Sequence, residues 1–194
     1  MQNLHDGLVS RLNSPQAGRW LMYAAAVETV GAPVRADLLL ADKVLLSPTE
    51  VWRHTAAAVL GSVVAGGVLY TVGAVLGLLG GLTLLQQFLG GAWLLDLQVG
   101  MQGYAPLLVV AAGMATIPFG VLLLLAGLLG AAPLWLLPAA LAARGVRYGL
   151  MAWLLWRGGT RYRDWLARYY HGLTMVVALG LLLLAVFGLL LKYL

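Results

Sequence analysis

Long apolar runs alternate with short polar breaks along the chain, and some of the breaks fall inside the runs. From Trp20 to Leu46 the apolar pattern is interrupted by Glu28, Gly31, Pro33, Arg35, Asp37, Asp42 and Lys43. Proline removes a backbone donor and restricts the residue before it, so a helix is expected to break at Pro33. Charges on both sides of that break suggest two half-helices that dip into a membrane and return. Non-helical backbone is tolerated at such depth only where it lines a cavity or is buried in protein. Ala56 to Gly81 carries no charge and reads as a complete span, with Gly61, Ala65, Gly66, Gly73 and Gly77 spaced for close helix contact. Leu82 to Gly103 contains Gln86, Gln87, Asp96, Gln98 and Gln102 and reads as an interfacial connector. Tyr104 to Gly130 is a second broken segment, punctuated at Pro118 and Gly120. Its halves of roughly a dozen residues are shorter than the about 20 needed to cross a bilayer. Pro133 and Pro138 open a helix that ends at Trp156, a basic stretch follows, and Tyr169 to Leu191 is an uninterrupted last span.

This order predicts an all-α polytopic membrane protein with one membrane domain over residues 1–194. A first repeat occupies 20–81, the connector 82–103, a second repeat 104–156, a basic cytoplasmic loop 157–168 and an extra C-terminal transmembrane helix 169–191. Each repeat is a re-entrant helical hairpin followed by a transmembrane helix. With the N-terminus cytoplasmic, Lys43, Arg53 and the 157–168 loop face the cytoplasm and Asp96 faces outward, as the positive-inside rule requires. The hairpins then enter from opposite faces. Such inverted repeats in secondary transporters carry a site near the bilayer midplane.

Composition agrees with a membrane location. The 194 residues are 62% hydrophobic and only 10% charged, with a mean hydropathy of +0.91; soluble domains carry roughly a quarter charged residues. The net charge of +5 lies in short segments flanking apolar runs, so no nucleic-acid partner is implied. The absence of cysteine excludes disulfides, a thiol nucleophile and a Cys-based metal site. Met1 to Gly18 is polar, without the basic and apolar regions of a cleaved signal peptide.

Arg144 and Arg147 are the main chemical candidates. They lie in an otherwise apolar helix, at i and i+3, and so share one face. An arginine at mid-membrane costs about 2.5–3.5 kcal/mol on insertion scales, so that face must meet protein, a water-filled cavity or an anion. A guanidinium fork matches phosphate oxygens bidentately, which makes a phosphate-bearing lipid one reading and internal pairing with a carboxylate the other. Glu28 and Asp37 flank the first break; each is either a proton carrier or a counter-ion to an arginine. Arg35 is a phosphate ligand or a partner for Asp37, whereas Asp42 and Lys43 are expected to be solvated and Asp96 exposed in a loop. The histidines lack metal-ligand spacing, Ser62 has no G-x-S-x-G context and no P-loop is present, so neither a cofactor nor an enzymatic activity is expected.

The run Glu28-x4-Pro33-Val34-Arg35-Ala36-Asp37-Leu38-Leu39-Leu40, with Gly61-Ser62-Val63 after it, resembles the start of the DedA superfamily. The similarity is greatest to its small YqaA-like branch of SNARE-associated, or VTT-domain, membrane proteins. A second stretch is similar to the family's other signature: Gly113-Met114-Ala115-Thr116-Ile117-Pro118-Phe119-Gly120-Val121, then Ala126-Gly127 and Arg144-Gly145-Val146-Arg147-Tyr148. The resemblance covers about residues 20–190. It implies two inverted re-entrant hairpins in a bacterial cytoplasmic (inner) membrane and transbilayer movement of an anionic lipid, either polyprenyl phosphate or a phospholipid. It also implies a proton-coupling role for Glu28 and Asp37, and a substrate-binding role for Arg144 and Arg147 with Arg35, Pro33, Pro118 and Gly120 at the hairpin tips. The chain departs from the family at Gly120, where a basic residue is usual, at Thr116 in place of a proline, and at Arg35 and Ala36, where prolines are common. The expected function is therefore a lipid-phosphate flippase or scramblase. The alternative is a non-transporting assembly protein of the same fold, packing through glycine-rich faces; the sequence fixes no oligomeric state and allows a homo-oligomer.

Overall fold

A computed structural model describes residues 16–32, 34–89, 92–114 and 119–162, with scattered helical positions between 169 and 183. Pro33, Thr116, Pro118 and most of the expected last span lie outside the described residues. Every regular element among the described residues is helical.

Gly31 ends the first helix, α1 (Ala17–Val30), with a left-handed φ of 106°. The N–H groups of Gly31 and Ala32 donate to the carbonyls of Glu28 and Val27, a Schellman cap that glycine adopts without steric cost. The expected break is present but begins ahead of Pro33, and α2 (Ala36–Leu46) resumes after it. A 3₁₀ turn, Pro48–Glu50, leads into α3 (Val51–Leu78), which starts before Ala56 and includes Arg53 and His54. Next come the short α4 (Gly81–Leu89) and the 23-residue α5 (Ala92–Met114). Residues 115–118, where the second break is expected, lie outside the described residues; α6 (Phe119–Leu128) follows, and α7 (Pro133–Gly158) carries the two arginines.

The boundary expected at Gly103 falls inside a helix. Residues 92–103 are the first half of α5, continuous with the segment expected to begin at Tyr104. Leu94, Met101, Ala105 and Val109 are buried along one face, whereas Asp96 and Gln102 are exposed together with Leu95 and Val99. Polar and apolar side chains thus share the exposed surface of one continuous helix, which gives the mixed composition that reads as a connector. Asp96 is exposed as expected, but on a helix. Pro133 occupies the first turn of α7, where a missing N–H leaves nothing unpaired; Pro138 lies inside that helix, and Arg157 belongs to its last turn.

Within each half the leading helix packs on the long one: α1 on α3, and α5 on α7. Across the halves, α2 packs on α7 and α6 on α3, and the two long helices touch each other. Glycines set the closest crossings. A Cβ at Gly61 would collide with the Met22 backbone of α1, and one at Gly127 with the Tyr70 carbonyl of α3. Two buried cores result. The first joins α1, α2 and α3 to Tyr148, Met151, Ala152 and Leu155 of α7. The second joins α5 and α6 to Leu136 and Ala140 of the same helix.

The polarity is inverted relative to a soluble bundle. Arg144, Arg147 and Asp37 are buried, while Leu60, Val64, Val68 and Val72 of α3 and Leu134, Trp135, Leu141 and Trp153 of α7 are exposed. Apolar surface on this scale marks a face that some other apolar phase covers. Two helical segments, Pro48–Leu78 and Leu94–Met114, are long and apolar enough to cross a membrane.

The crossings predict that Gly61→Val and Gly127→Val each lower stability in detergent by about 1–3 kcal/mol, because backbones must separate. Gly145→Ala, whose Cβ meets open space, is expected to be neutral or stabilising. Thermal unfolding followed by circular dichroism checks the order.

Candidate functional site

Arg144 and Arg147 project from α7 between its contribution to the second core, ending at Ala140, and its contribution to the first, starting at Tyr148. Their shared face meets both helix breaks. Arg147 Nη2 donates to Asp37 Oδ2 in the first turn of α2, and its Nη1 donates to the Met114 carbonyl, 3.4 Å away, at the end of α5. One guanidinium thus joins the start of a helix after the first break to the end of a helix before the second.

Arg144 makes the corresponding link on the other side. Its Nη1 donates to Glu28 Oε1 at 3.4 Å and to the Tyr148 hydroxyl at 3.5 Å, and its guanidinium carbon lies 4.5 Å from the centre of the Phe119 ring. Glu28 ends α1 and Phe119 begins α6, so this contact also spans the two breaks. The second oxygen of Glu28 accepts the Ala36 N–H at 2.8 Å. That carboxylate caps the N-terminus of α2, where the helix dipole favours negative charge, as it also does for Asp37 in the first turn. The Met114 carbonyl, at a negative helix end, attracts the Arg147 cation for the converse reason.

The four charges balance, two cations against two anions. Asp37 Oδ1 and Arg144 Nε are nevertheless among the polar atoms buried without a hydrogen-bond partner among the described residues. Each such atom costs about 1–3 kcal/mol, and its presence in a folded protein usually marks a place for water, an ion or a ligand.

The other expected site residues fall around this cluster. Arg35 is exposed immediately before α2, and Asp37 pairs with Arg147 rather than staying in a local hairpin. Gly120 is buried; a Cβ there would collide with the Thr29 carbonyl and Leu69, so the position serves close approach of α6 to α1. A lysine or arginine would have no room there without moving α6 away from α1. Pro33 and Pro118 lie outside the described residues.

Lys43, expected to be solvated, is buried because i+3 and i+4 spacing puts it on the packed face of α2 with Leu39, Leu40 and Val44. His54 is also buried, with Nε2 3.1 Å from Glu50 Oε2. Ser62 has no catalytic setting: its hydroxyl lies 2.6 Å from that of Thr29, which donates to the Ala25 carbonyl. Sequence reasoning missed Phe119, Tyr148 and the Met114 carbonyl. The aromatics could have been found as neighbours of the break and of Arg144, but a backbone acceptor leaves no signal in residue identity.

Compared with known proteins, the chain matches no family model, no curated protein and no solved structure.

Ser62→Ala removes one partner while Thr29 keeps its bond to Ala25. The expected loss is about 1 kcal/mol of stability, with no effect on any activity the protein carries. Abolished activity in a variant that still folds would return Ser62 to the site.

Proposed function

We propose that this chain is a multi-pass membrane protein of the DedA-like kind that moves a lipid phosphate across a bacterial cytoplasmic membrane. The observation that carries this reading is the meeting of two buried arginines with two acids where both helix breaks converge. The exposed apolar faces of α3 and α7 favour a bilayer as the surrounding phase. The crossed packing, α2 on α7 and α6 on α3, is what two repeats of opposite orientation would give, with the site at their junction.

The mechanism follows from charge balance. A phosphate cannot enter a neutral cluster without leaving a net negative charge in a low-dielectric setting, where such a charge costs several kcal/mol. Protonation of one acid removes that obstacle: the cluster becomes cationic, and a headgroup phosphate replaces the lost carboxylate charge at an arginine. Release of the proton restores the acid–arginine pair and expels the phosphate. Lipid tails stay outside along the apolar faces, so only the headgroup crosses through protein. Proton and phosphate would therefore move in a fixed ratio.

A second reading, a non-transporting assembly protein of the same fold, is favoured by the same charge balance, because the pairs could serve only to lock the two halves together.

Liposomes containing the purified protein and labelled polyprenyl phosphate or phospholipid test both. The expected outcome is translocation that depends on a pH gradient, is abolished by Arg144→Ala with Arg147→Ala, and loses its gradient dependence in Glu28→Gln. A folded double variant with translocation intact would remove the transport mechanism; absence of translocation in the parent would favour the assembly reading.

A further inference from the structure

We infer that the two arginine–acid pairs have different tasks: Arg147 with Asp37 is a fixed clamp, and Arg144 with Glu28 is the pair that opens to take a phosphate. This rests on the lipid-phosphate reading for the identity of the ligand, but the division itself comes from geometry.

Arg147 is bonded through both terminal nitrogens, closely to Asp37 of α2 and at 3.4 Å to the Met114 carbonyl of α5. Both arginines are buried, but of the two acids Asp37 is the less exposed, at 7% against 18% for Glu28. Removing Arg147 would leave an unpaired acid at the start of one helix and an orphan carbonyl at the end of another. Asp37 Oδ1, buried without a hydrogen-bond partner among the described residues, is an acceptor and offers an anion nothing to bind.

Arg144 is held differently. Its two hydrogen bonds both use Nη1 and lie at 3.4 and 3.5 Å, the long limit for such contacts. Phe119 supports the face of the group, an interaction that leaves the edge N–H groups in place for a ligand. Nε is buried and has no partner among the described residues. The guanidinium edge that carries Nε is the one that takes two oxygens side by side, so the unused donor is where a phosphate would seat bidentately.

Glu28 suits the part of a releasing partner. Its side chain is 18% exposed, so a proton or a headgroup can reach it. Its other oxygen stays anchored on the Ala36 N–H, so losing Arg144 does not set the side chain adrift or uncap α2. Opening is therefore a local exchange at one carboxylate oxygen, while the clamp beside it keeps the two breaks together. The ligand class is a phosphate with two terminal oxygens for that edge and a third to replace the Glu28 oxygen: a phosphomonoester headgroup or inorganic phosphate.

Melting temperatures of the full chain, with and without phosphate, test the division. Arms with phosphatidic acid in mixed micelles, phosphatidylcholine alone and inorganic phosphate separate a lipid headgroup from the free anion. The parent is expected to be stabilised by phosphatidic acid. Arg144→Gln should melt near the parent yet need about tenfold or more phosphatidic acid for the same protection, the loss of one charge-assisted contact. Arg144→Lys, which keeps charge but not the two-donor edge, should fall between them. Arg147→Gln should melt roughly 10 °C lower, the scale of a broken buried pair. Arg147→Gln with Asp37→Asn should recover part of that loss and keep the phosphatidic acid response. If Arg144→Gln and Arg147→Gln destabilise equally, or if the folded Arg147→Gln, Asp37→Asn variant loses the response while Arg144→Gln keeps it, the division is overturned. A parent that responds to neither phosphate removes the lipid-phosphate reading, and the melting order alone then decides the division.

Discussion

A guanidinium removed from water must be met by negative charge or carbonyl oxygen, or the chain will not bury it. Both arginines of α7 satisfy that requirement with groups supplied by other helices. Arg147 reaches the start of α2 and the end of α5; Arg144 reaches the end of α1 and lies over the first residue of α6. The two breaks are held together because each exposes helix termini whose partial charges need a partner, and the arginines with the two acids are those partners. Desolvation makes this arrangement costly if incomplete.

The apolar packing is organised around the same place. α7 contributes to one core above the arginines and to the other below them, and so threads the molecule. The halves cannot swing apart as rigid bodies without stripping α7 from one core. In the proposed transport cycle this favours a small opening at Glu28 over a large rocking of repeats.

Much of this was legible in the sequence, and the exceptions have identifiable causes. The shared face of Arg144 and Arg147 follows from helical period alone, and the flanking of the first break by Glu28 and Asp37 is visible in order along the chain. Which acid meets which arginine is not, because pairing over 116 and 110 residues depends on packing rather than local pattern. The connector was misplaced because α5 hides its buried stripe among glutamines, an aspartate and glycines that lower the average polarity contrast. Lys43 looked solvated because charge type was weighed ahead of its register with Leu39 and Leu40. Gly120, expected at a hairpin tip, is where α6 comes closest to the Thr29 carbonyl. In each case neighbours in space, absent from a linear reading, decided the outcome.

The long separation within each pair also bears on biosynthesis. Glu28 and Asp37 leave the ribosome more than a hundred residues before the cations that neutralise them. Until α7 is made, the nascent N-terminal half can hold those acids only hydrated or protonated. Packing around them is thereby left provisional, and completion of the arginine helix becomes the event that commits the whole polypeptide to its final arrangement.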